Sequence, residues 1–245
     1  SERMAEKRKV WDLPLRMFHW LLVLNIAASW YTAENGEEYL SIGDRAYAYI
    51  ELHFFLGYLA LAMVAFRIIW GFIGPRHARF SNFLAGPKKF LAYAGTVLRR
   101  DAKPSIGHNP LGGWMVALIL AMVGSQAFTG LFMIDNSDIY PALYHGSVSS
   151  ELGSSFSRFH HINFDVLLWV ICLHVAAILF YAFYKRQNLV HPMITGSKSA
   201  AVVPEKEAIA SSQLLKALVV ALVCAGGIYA LIKLAPPPPG VEEYY

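Results

Sequence analysis

The segment FHHINFDVLLWVICLH (Phe159–His174) carries three histidines in an otherwise apolar run. Read as an α-helix, the fourteen residues from His160 to His174 turn the chain through about 1,400°, ~40° short of four full turns, so the two rings share a face. The thirteen residues from His161 to His174 leave that ring about 140° away. The rise between His160 and His174 is ~21 Å, most of the ~30 Å hydrocarbon core of a bilayer. One helix thus offers an imidazole near each side of a membrane, and the adjacent pair splits. His160 belongs with His174, while His161 points elsewhere.

The rest of the chain supports a membrane setting. Of its 245 residues, 56% are hydrophobic and 16% charged, against roughly 45–50% and about a quarter in soluble domains. The net charge is +4, but the basic residues cluster between apolar runs, so it implies no nucleic-acid partner. Cys172 and Cys224 both fall inside apolar runs and read as small buried fillers rather than a disulfide. The first run begins near Leu13, after Lys7-Arg8-Lys9, and extends to about Tyr31. It is too long for a cleaved signal core and reads as a signal anchor that stays as the first span.

Five spans are expected: Leu13–Ala33, Ile50–Gly74, Leu111–Ile134, His160–Tyr184 and Ser212–Leu234. Each has the length a helix needs to cross a bilayer, and a helix pairs its own backbone groups in lipid. The intervening segments alternate in sign. Arg3, Lys7, Arg8 and Lys9 precede the first span; Glu34, Glu37, Glu38 and Asp44 oppose Arg45 after it. Arg76, Arg79, Lys88, Lys89, Arg99, Arg100 and Lys103 fill the next loop, with Asp101 alone in opposition. Asp135, Asp138 and Glu151 face Arg158 in the third loop, and Lys185-Arg186 follow the fourth span. The positive-inside rule then places the N-terminus and the 75–109 and 185–211 loops in the cytoplasm, with the acidic loops and the C-terminal tail facing outward. Pro87–Arg100 (PKKFLAYAGTVLRR) fits a short interfacial helix or a tethered basic loop. The APPPPGVEEYY tail is expected to be extended.

The expected organisation is a cytoplasmic segment (1–12), a transmembrane bundle (13–190), a cytoplasmic linker (191–211), an accessory transmembrane helix (212–234) and a Pro-rich periplasmic tail (235–245). Histidine inside a span is costly without a task. By depth, His53 of the second span matches His160, and His19 of the first matches His174. Two histidines facing one another across a bundle suit a six-coordinate haem iron. A catalytic zinc would need three clustered ligands and an open position. Arg67 follows His53 by fourteen residues and so shares its face. It is expected to meet a propionate of the inner haem, to line a quinone pocket, or to snorkel to the interface. Arg16, three residues before His19, faces a similar choice. His161 is left for an interfacial hydrogen bond or an outer-haem propionate. Gly57, four residues after His53, leaves room for a flat ring, and Gly113, Gly124 and Gly130 allow the third span to approach others. Of the tryptophans near these spans (Trp20, Trp70, Trp114, Trp169), Trp70 and Trp114 read as interface anchors. His77 and His191 are expected in solvated loops.

WDLPLRMFHW (Trp11–Trp20), HFFLGYLALAMVAFRIIWGFIGPRHARF (His53–Phe80), HNPLGG (His108–Gly113) and the pattern of the fourth span together resemble the bacterial cytochrome b561 family, and within it the b-type cytochrome subunits of nickel-iron hydrogenases. The resemblance covers about residues 9–190. It implies an all-α, integral membrane four-helix bundle holding two haems b through His19, His53, His160 and His174. It also implies electron transfer between the membrane quinone pool and a periplasmic c-type cytochrome or oxidoreductase subunit. The quinone would lie near His19, His174 and Arg67, with Arg16 or His108 beside it; His77 and Lys103 are further proton-handling candidates. The additional C-terminal helix departs from the four-span pattern and suggests contact with a partner or a second copy of the chain. No CxxCH occurs, so no haem attaches covalently. Two alternatives accompany this reading: a superoxide:quinone oxidoreductase, which would need a basic outer funnel, and a membrane anchor cytochrome of a periplasmic hydrogenase. A transporter would need more polar residues along the spans.

Overall fold

The computed structural model describes residues 6–134 and 139–237. Arg3, Asp135, Asp138 and the end of the Pro-rich tail lie outside the described residues. In chain order the elements are β1 (Lys7–Lys9), α1 (Leu13–Glu34), β2 (Tyr39–Ile42), β3 (Arg45–Ala48), α2 (Tyr49–Ile73), α3 (Phe80–Phe83), α4 (Pro87–Ala94), α5 (Pro110–Gly130), α6 (Ser150–Phe183), α7 (Val190–Thr195), β4 (Ser197–Ser199) and α8 (Leu214–Lys233). The fold is all-α apart from two small two-stranded sheets, β1–β4 and β2–β3.

Among the described residues, α2, α5, α6 and α8 are long and apolar enough to cross a membrane. The chain is therefore a multi-pass membrane protein. Its large apolar side chains face outward, as lipid contact requires: Trp169 and Leu215 are each 77% exposed. Cys172 is exposed in the same way, contrary to the expectation of a buried filler, whereas Cys224 is buried. The 22-residue α1 is long enough to span, but Arg16, His19, Asn25, Ser29 and Thr32 make it the most polar of the five long helices. Helix α6 starts ten residues before the apolar run at His160. Ser149 accepts the Leu152 N–H (3.2 Å) and Glu151 sits in the first turn, so capping starts the helix in a polar stretch. The basic segment at Pro87 forms helix α4, with proline in the first turn and no buried residue.

The chain divides into two compact units, and every long helix contributes to both. The first unit comprises Ser1–His19, Phe66–Leu120 and Trp169–Val220. Val10, Trp11, Leu15, Trp70, Ala78, Val203 and Ala217 form its core. Asp12 caps α1 by accepting the Leu15 N–H (2.8 Å) and also accepts Trp70 Nε1–H (3.0 Å). Trp70 is fully buried, so it is a core residue rather than the expected interface anchor. Trp114 is 46% exposed and donates to the Ala85 carbonyl, as an anchor would. The segment after α7 is built into this unit rather than tethered to it. β4 pairs antiparallel with β1, Arg8 donates to the Val203 carbonyl (2.7 Å) and Ile209 N–H to the Lys9 carbonyl (2.9 Å). His77, expected in a solvated loop, is buried and hydrogen-bonded to the Glu207 carbonyl (2.7 Å). Gly196 closes α7 at φ +84°, and its carbonyl accepts the N–H groups of Val10 and Trp11.

The second unit comprises Trp20–Ala65, Ala121–Leu168 and Ala221–Tyr245. The β2–β3 hairpin turns at Gly43 (φ +61°) and leads directly into α2. The Tyr144 hydroxyl donates to the Leu231 carbonyl of α8 (2.6 Å). A methyl group at Gly226 or Gly227 would meet nothing within 4 Å, so their surface is open within the chain.

A methyl group at Gly196 would lie 2.7 Å from the Trp11 carbonyl oxygen and 2.9 Å from the Arg16 guanidinium. Gly196→Ala is expected to destabilise the protein by about 1 kcal/mol or more through the left-handed conformation alone. It should also free β1, read as faster tryptic cleavage at Lys7–Lys9. Gly226→Ala serves as the silent control, and equal cleavage of the two variants would refute the latch.

Candidate functional site

The predicted histidine pairs meet within each unit. In the second unit, His53 of α2 and His160 of α6 have ring centres 6.4 Å apart at 81°. In the first, His19 of α1 and His174 of α6 have centres 6.5 Å apart at 55°. Two imidazoles on opposite sides of one metal ion, each bonded at about 2 Å, have ring centres roughly 6.3 Å apart. Both pairs therefore fit a bis-imidazole iron site, with four ligands drawn from three helices.

The second unit also orients its rings. His53 Nδ1 lies 2.7 Å from the Ser29 carbonyl oxygen of α1, and His160 Nδ1 lies 2.8 Å from the Gln126 carbonyl oxygen of α5. A carbonyl only accepts, so each Nδ1 carries the proton, and Nε2 is then the ring nitrogen of the type that can bind a metal. The two supports share a design. Thr32 and Thr129, three residues further on, stand 3.1 and 3.2 Å from the same carbonyl oxygens and 3.5 and 3.4 Å from the histidine nitrogens, while the shorter bond of each hydroxyl goes to the carbonyl four residues back, Ala28 (2.8 Å) and Ser125 (2.7 Å). Ser29, Thr32, Gln126 and Thr129 were not singled out from sequence. The available signal was a pair of polar residues at i, i+3 inside an apolar helix.

The pair borders a cavity of about 480 Å³. Gly57 lines it, and a methyl group there would meet nothing within 4 Å. Gly130 lines it too, 3.1 Å from His160 Cε1 at its methyl position. Both glycines thus leave room for a flat ring beside the imidazoles. Gly124 packs against Val64, and Gly113 against the Phe83 backbone. Asn25 donates to the Leu56 carbonyl (2.9 Å), and Asn163 to the Met122 carbonyl and to Gln126 Oε1. His161 lies on the cavity wall, its ring 6.0 Å from that of His160.

Around the first pair, Arg67 is 1% exposed and does not snorkel. Its guanidinium carbon sits 5.0 Å from the Phe80 ring centre and 5.7 Å from that of Phe83. The His108 ring lies tilted against Trp11 (centres 4.6 Å apart) and edge-on to Phe83 (4.8 Å). Burial pushes its pKa down to about 3, and the positive charges of Arg67 and Lys198 push the same way. Lys198 donates to the Ser105 carbonyl (3.0 Å), and burial lowers its ammonium to about 8. Arg16 directs Nε to the Trp11 carbonyl (3.1 Å) and Nη1 to the Ile194 carbonyl (2.7 Å). It braces the backbone where α7 meets β1. Burial holds the Asp12 carboxyl above its usual range despite the donors around it.

A fold of apolar helices with histidines paired across it defines a class: membrane cytochromes that hold haem between imidazoles. The family model of prokaryotic cytochrome b561 matches residues 10–196, and the chain belongs to that family. It is a membrane b-type cytochrome of electron transfer. Relatives described as probable Ni/Fe-hydrogenase B-type cytochrome subunits occur in Rhizobium leguminosarum bv. viciae (27% identity, covering 81% of this chain and 92% of the relative) and Azotobacter vinelandii (27%, 76% and 86%). Another is found in Bradyrhizobium diazoefficiens (24%, 77% and 85%). No solved structure matches the chain.

His108 yields a pH prediction. Its folded pKa lies near 3, below the ordinary 6.5, so the unfolded chain takes up a proton that the folded chain refuses. Its contribution to stability is full above pH 6.5 and is lost as pH falls toward 3. The melting temperature of the solubilised protein should fall more steeply between pH 7 and pH 5 than that of His108→Gln. Parallel curves would refute the assignment.

Proposed function

We propose that this chain is a di-haem b cytochrome of the bacterial inner membrane that exchanges electrons between membrane quinone and a periplasmic redox partner. The observation that carries this reading is the meeting of His53 with His160 and His19 with His174 at 6.4 and 6.5 Å. These four residues would be the axial ligands. Bound there, haem b supplies reversible one-electron chemistry with both axial positions taken by imidazole.

The protein's own contribution is positional. The Ser29 and Gln126 carbonyls hold the outer rings in the tautomer and orientation that ligation needs. Gly57 and Gly130 keep the adjoining space clear. The apolar exterior excludes water from the bundle. Arg16, with its donors taken up by two backbone carbonyls, acts as a brace rather than a cofactor contact. His108 stays neutral at physiological pH, so protons for quinone chemistry come from another group or from water.

Charge distribution supports a cytoplasmic N-terminus and a periplasmic C-terminus, with α1 as a fifth span alongside α2, α5, α6 and α8. The domain limits expected from sequence belong to this proposal, with the segment that joins α7 to α8 packed on the N-terminal strand through β4, Val203 and Ile209. The relatives' description as hydrogenase cytochrome subunits favours a hydrogenase-type oxidoreductase over a free c-type cytochrome as the redox partner. The superoxide alternative fares worse: Glu34 and Asp165 line the outer cavity, and no Lys or Arg is among its described lining residues. An anionic substrate would be repelled there.

A pyridine haemochrome assay on the purified chain should give two haems b. His160→Ala should reduce that to about one, and His161→Ala should keep two, since its ring is outside the pair. Retention of both haems in His160→Ala, or their loss in His161→Ala, would overturn the ligand assignment. In a separate experiment, a short-chain quinol analogue should reduce the wild-type haem spectrum within a mixing experiment. Failure of the quinol where dithionite succeeds would remove quinone from the proposal.

A further inference from the structure

Arg67 is buried to 1% exposure, and neither Nη1 nor Nη2 has a hydrogen-bond partner among the described residues. A guanidinium is charged at all working pH values and presents a planar fork of donors. Leaving both ends of that fork dry is among the least favourable arrangements a protein interior can hold. Phe80 and Phe83 offer it only ring faces. Asp12 attracts it from a distance; Asp12 Oδ1 accepts Leu15 N–H and Trp70 Nε1–H while Oδ2 is left without a hydrogen bond among the described residues, yet the two side chains do not come within ion-pair distance. The site is therefore a preformed seat for an anion.

The geometry identifies that anion. Phe83 packs against both the Arg67 guanidinium and the His108 ring, and Arg67, His108, His19 and His174 all belong to the first unit. A planar bidentate donor is matched by a carboxylate. Haem b carries two carboxylates. The cavity by His53 and His160 offers no equivalent: among the described residues that line it there is no Lys or Arg, and Glu34 and Asp165 are present. We infer that Arg67 is the carboxylate anchor of the haem held by His19 and His174, and that the pair His53–His160 binds its haem without such an anchor. This inference rests on the four-histidine reading above. It makes Arg67 a positioning residue that distinguishes the two haem sites.

The test is reconstitution of the full-length, detergent-solubilised protein, produced under haem depletion, with haem b or with haem b dimethyl ester, whose carboxylates are blocked. His19→Ala and His160→Ala variants assign the spectra to each site. Wild-type protein should take up two haems b, whereas the ester should fill the His53–His160 site normally and bind the His19–His174 site at least about tenfold more weakly, as loss of charge-assisted hydrogen bonds implies. Arg67→Gln should bind both forms equally weakly at the inner site and keep the outer site full, which also reports that the variant folds. Arg67→Lys, a point charge without the fork, should recover part of the preference. In Arg67→Gln protein loaded with haem b, the inner midpoint potential should fall, because a nearby positive charge favours the reduced iron.

An ester that fills both wild-type sites alike, or an Arg67→Gln variant that keeps the preference for free carboxylates, overturns the anchor while leaving the histidine ligands intact. Uptake of haem b that is insensitive to His19→Ala overturns the ligand reading itself. If Arg67→Gln loses both sites, the ester comparison in the wild-type protein alone decides.

Discussion

A histidine ring carried into an apolar helix bundle needs a partner for each of its two nitrogens. That requirement organises the second unit of this protein. One nitrogen of His53 and one of His160 are met by backbone carbonyls of neighbouring helices, α1 and α5. An α-helical carbonyl already accepts one bond from four residues ahead, so the ring takes its second lone pair. Thr32 and Thr129 crowd the same oxygens with their hydroxyls. A polar side chain thus sits beside each supporting carbonyl inside an apolar helix. The two rings so held have centres 6.4 Å apart beside the cavity. Helix packing, ring orientation and ligand geometry are in this sense one constraint.

The first unit meets a different difficulty, the burial of charge. Asp12, Arg67 and Lys198 are all withdrawn from water near the inner pair, and His108 is kept neutral among them. Much of the chain outside the spans serves to hold this arrangement. The N-terminal strand pairs with the segment after α7, Gly196 receives two backbone donors, and Arg16 braces the same junction. The family match ends at residue 196, whereas Val203, Glu207 and Ile209 beyond it complete the core and its hydrogen bonds. The region joining the bundle to α8 is therefore structural in this chain. The last helix is anchored at both ends, by Lys216 to the Ile73 carbonyl and by Tyr144 to the Leu231 carbonyl.

The two sites differ in character as a result. One pair adjoins a cavity bordered by carboxylates and glycines; the unit that holds the other also buries a cation among aromatic rings. Such an asymmetry suits an electron carrier with different partners at its two ends. A metal pair alone needs only four imidazoles, but the surroundings of each pair govern what else can approach and how strongly a charge on the cofactor is held.

Helical periodicity and the length of apolar runs determined the long helices to within a few residues, except at the start of α6, and separated His160 from His161 by helix face, because both follow from a repeat of 3.6 residues and the thickness of a bilayer. The pairing of His53 with His160 and of His19 with His174 was likewise legible, since depth in a membrane is nearly a one-dimensional quantity. Contacts between elements distant in the chain were not. Trp70 resembled an interface anchor until Asp12 was found beneath its indole, and His77 resembled a loop residue until Glu207 closed over it. The early start of α6 depended on a cap in a polar stretch that no apolar run marks. Sequence by itself determined which residues lie at which depth and on which helix face, because those are local properties of a helix in lipid. Tertiary structure alone decided which carbonyl orients each ring and which cation stands without an anion, because such partners are brought together only when segments far apart in the chain pack.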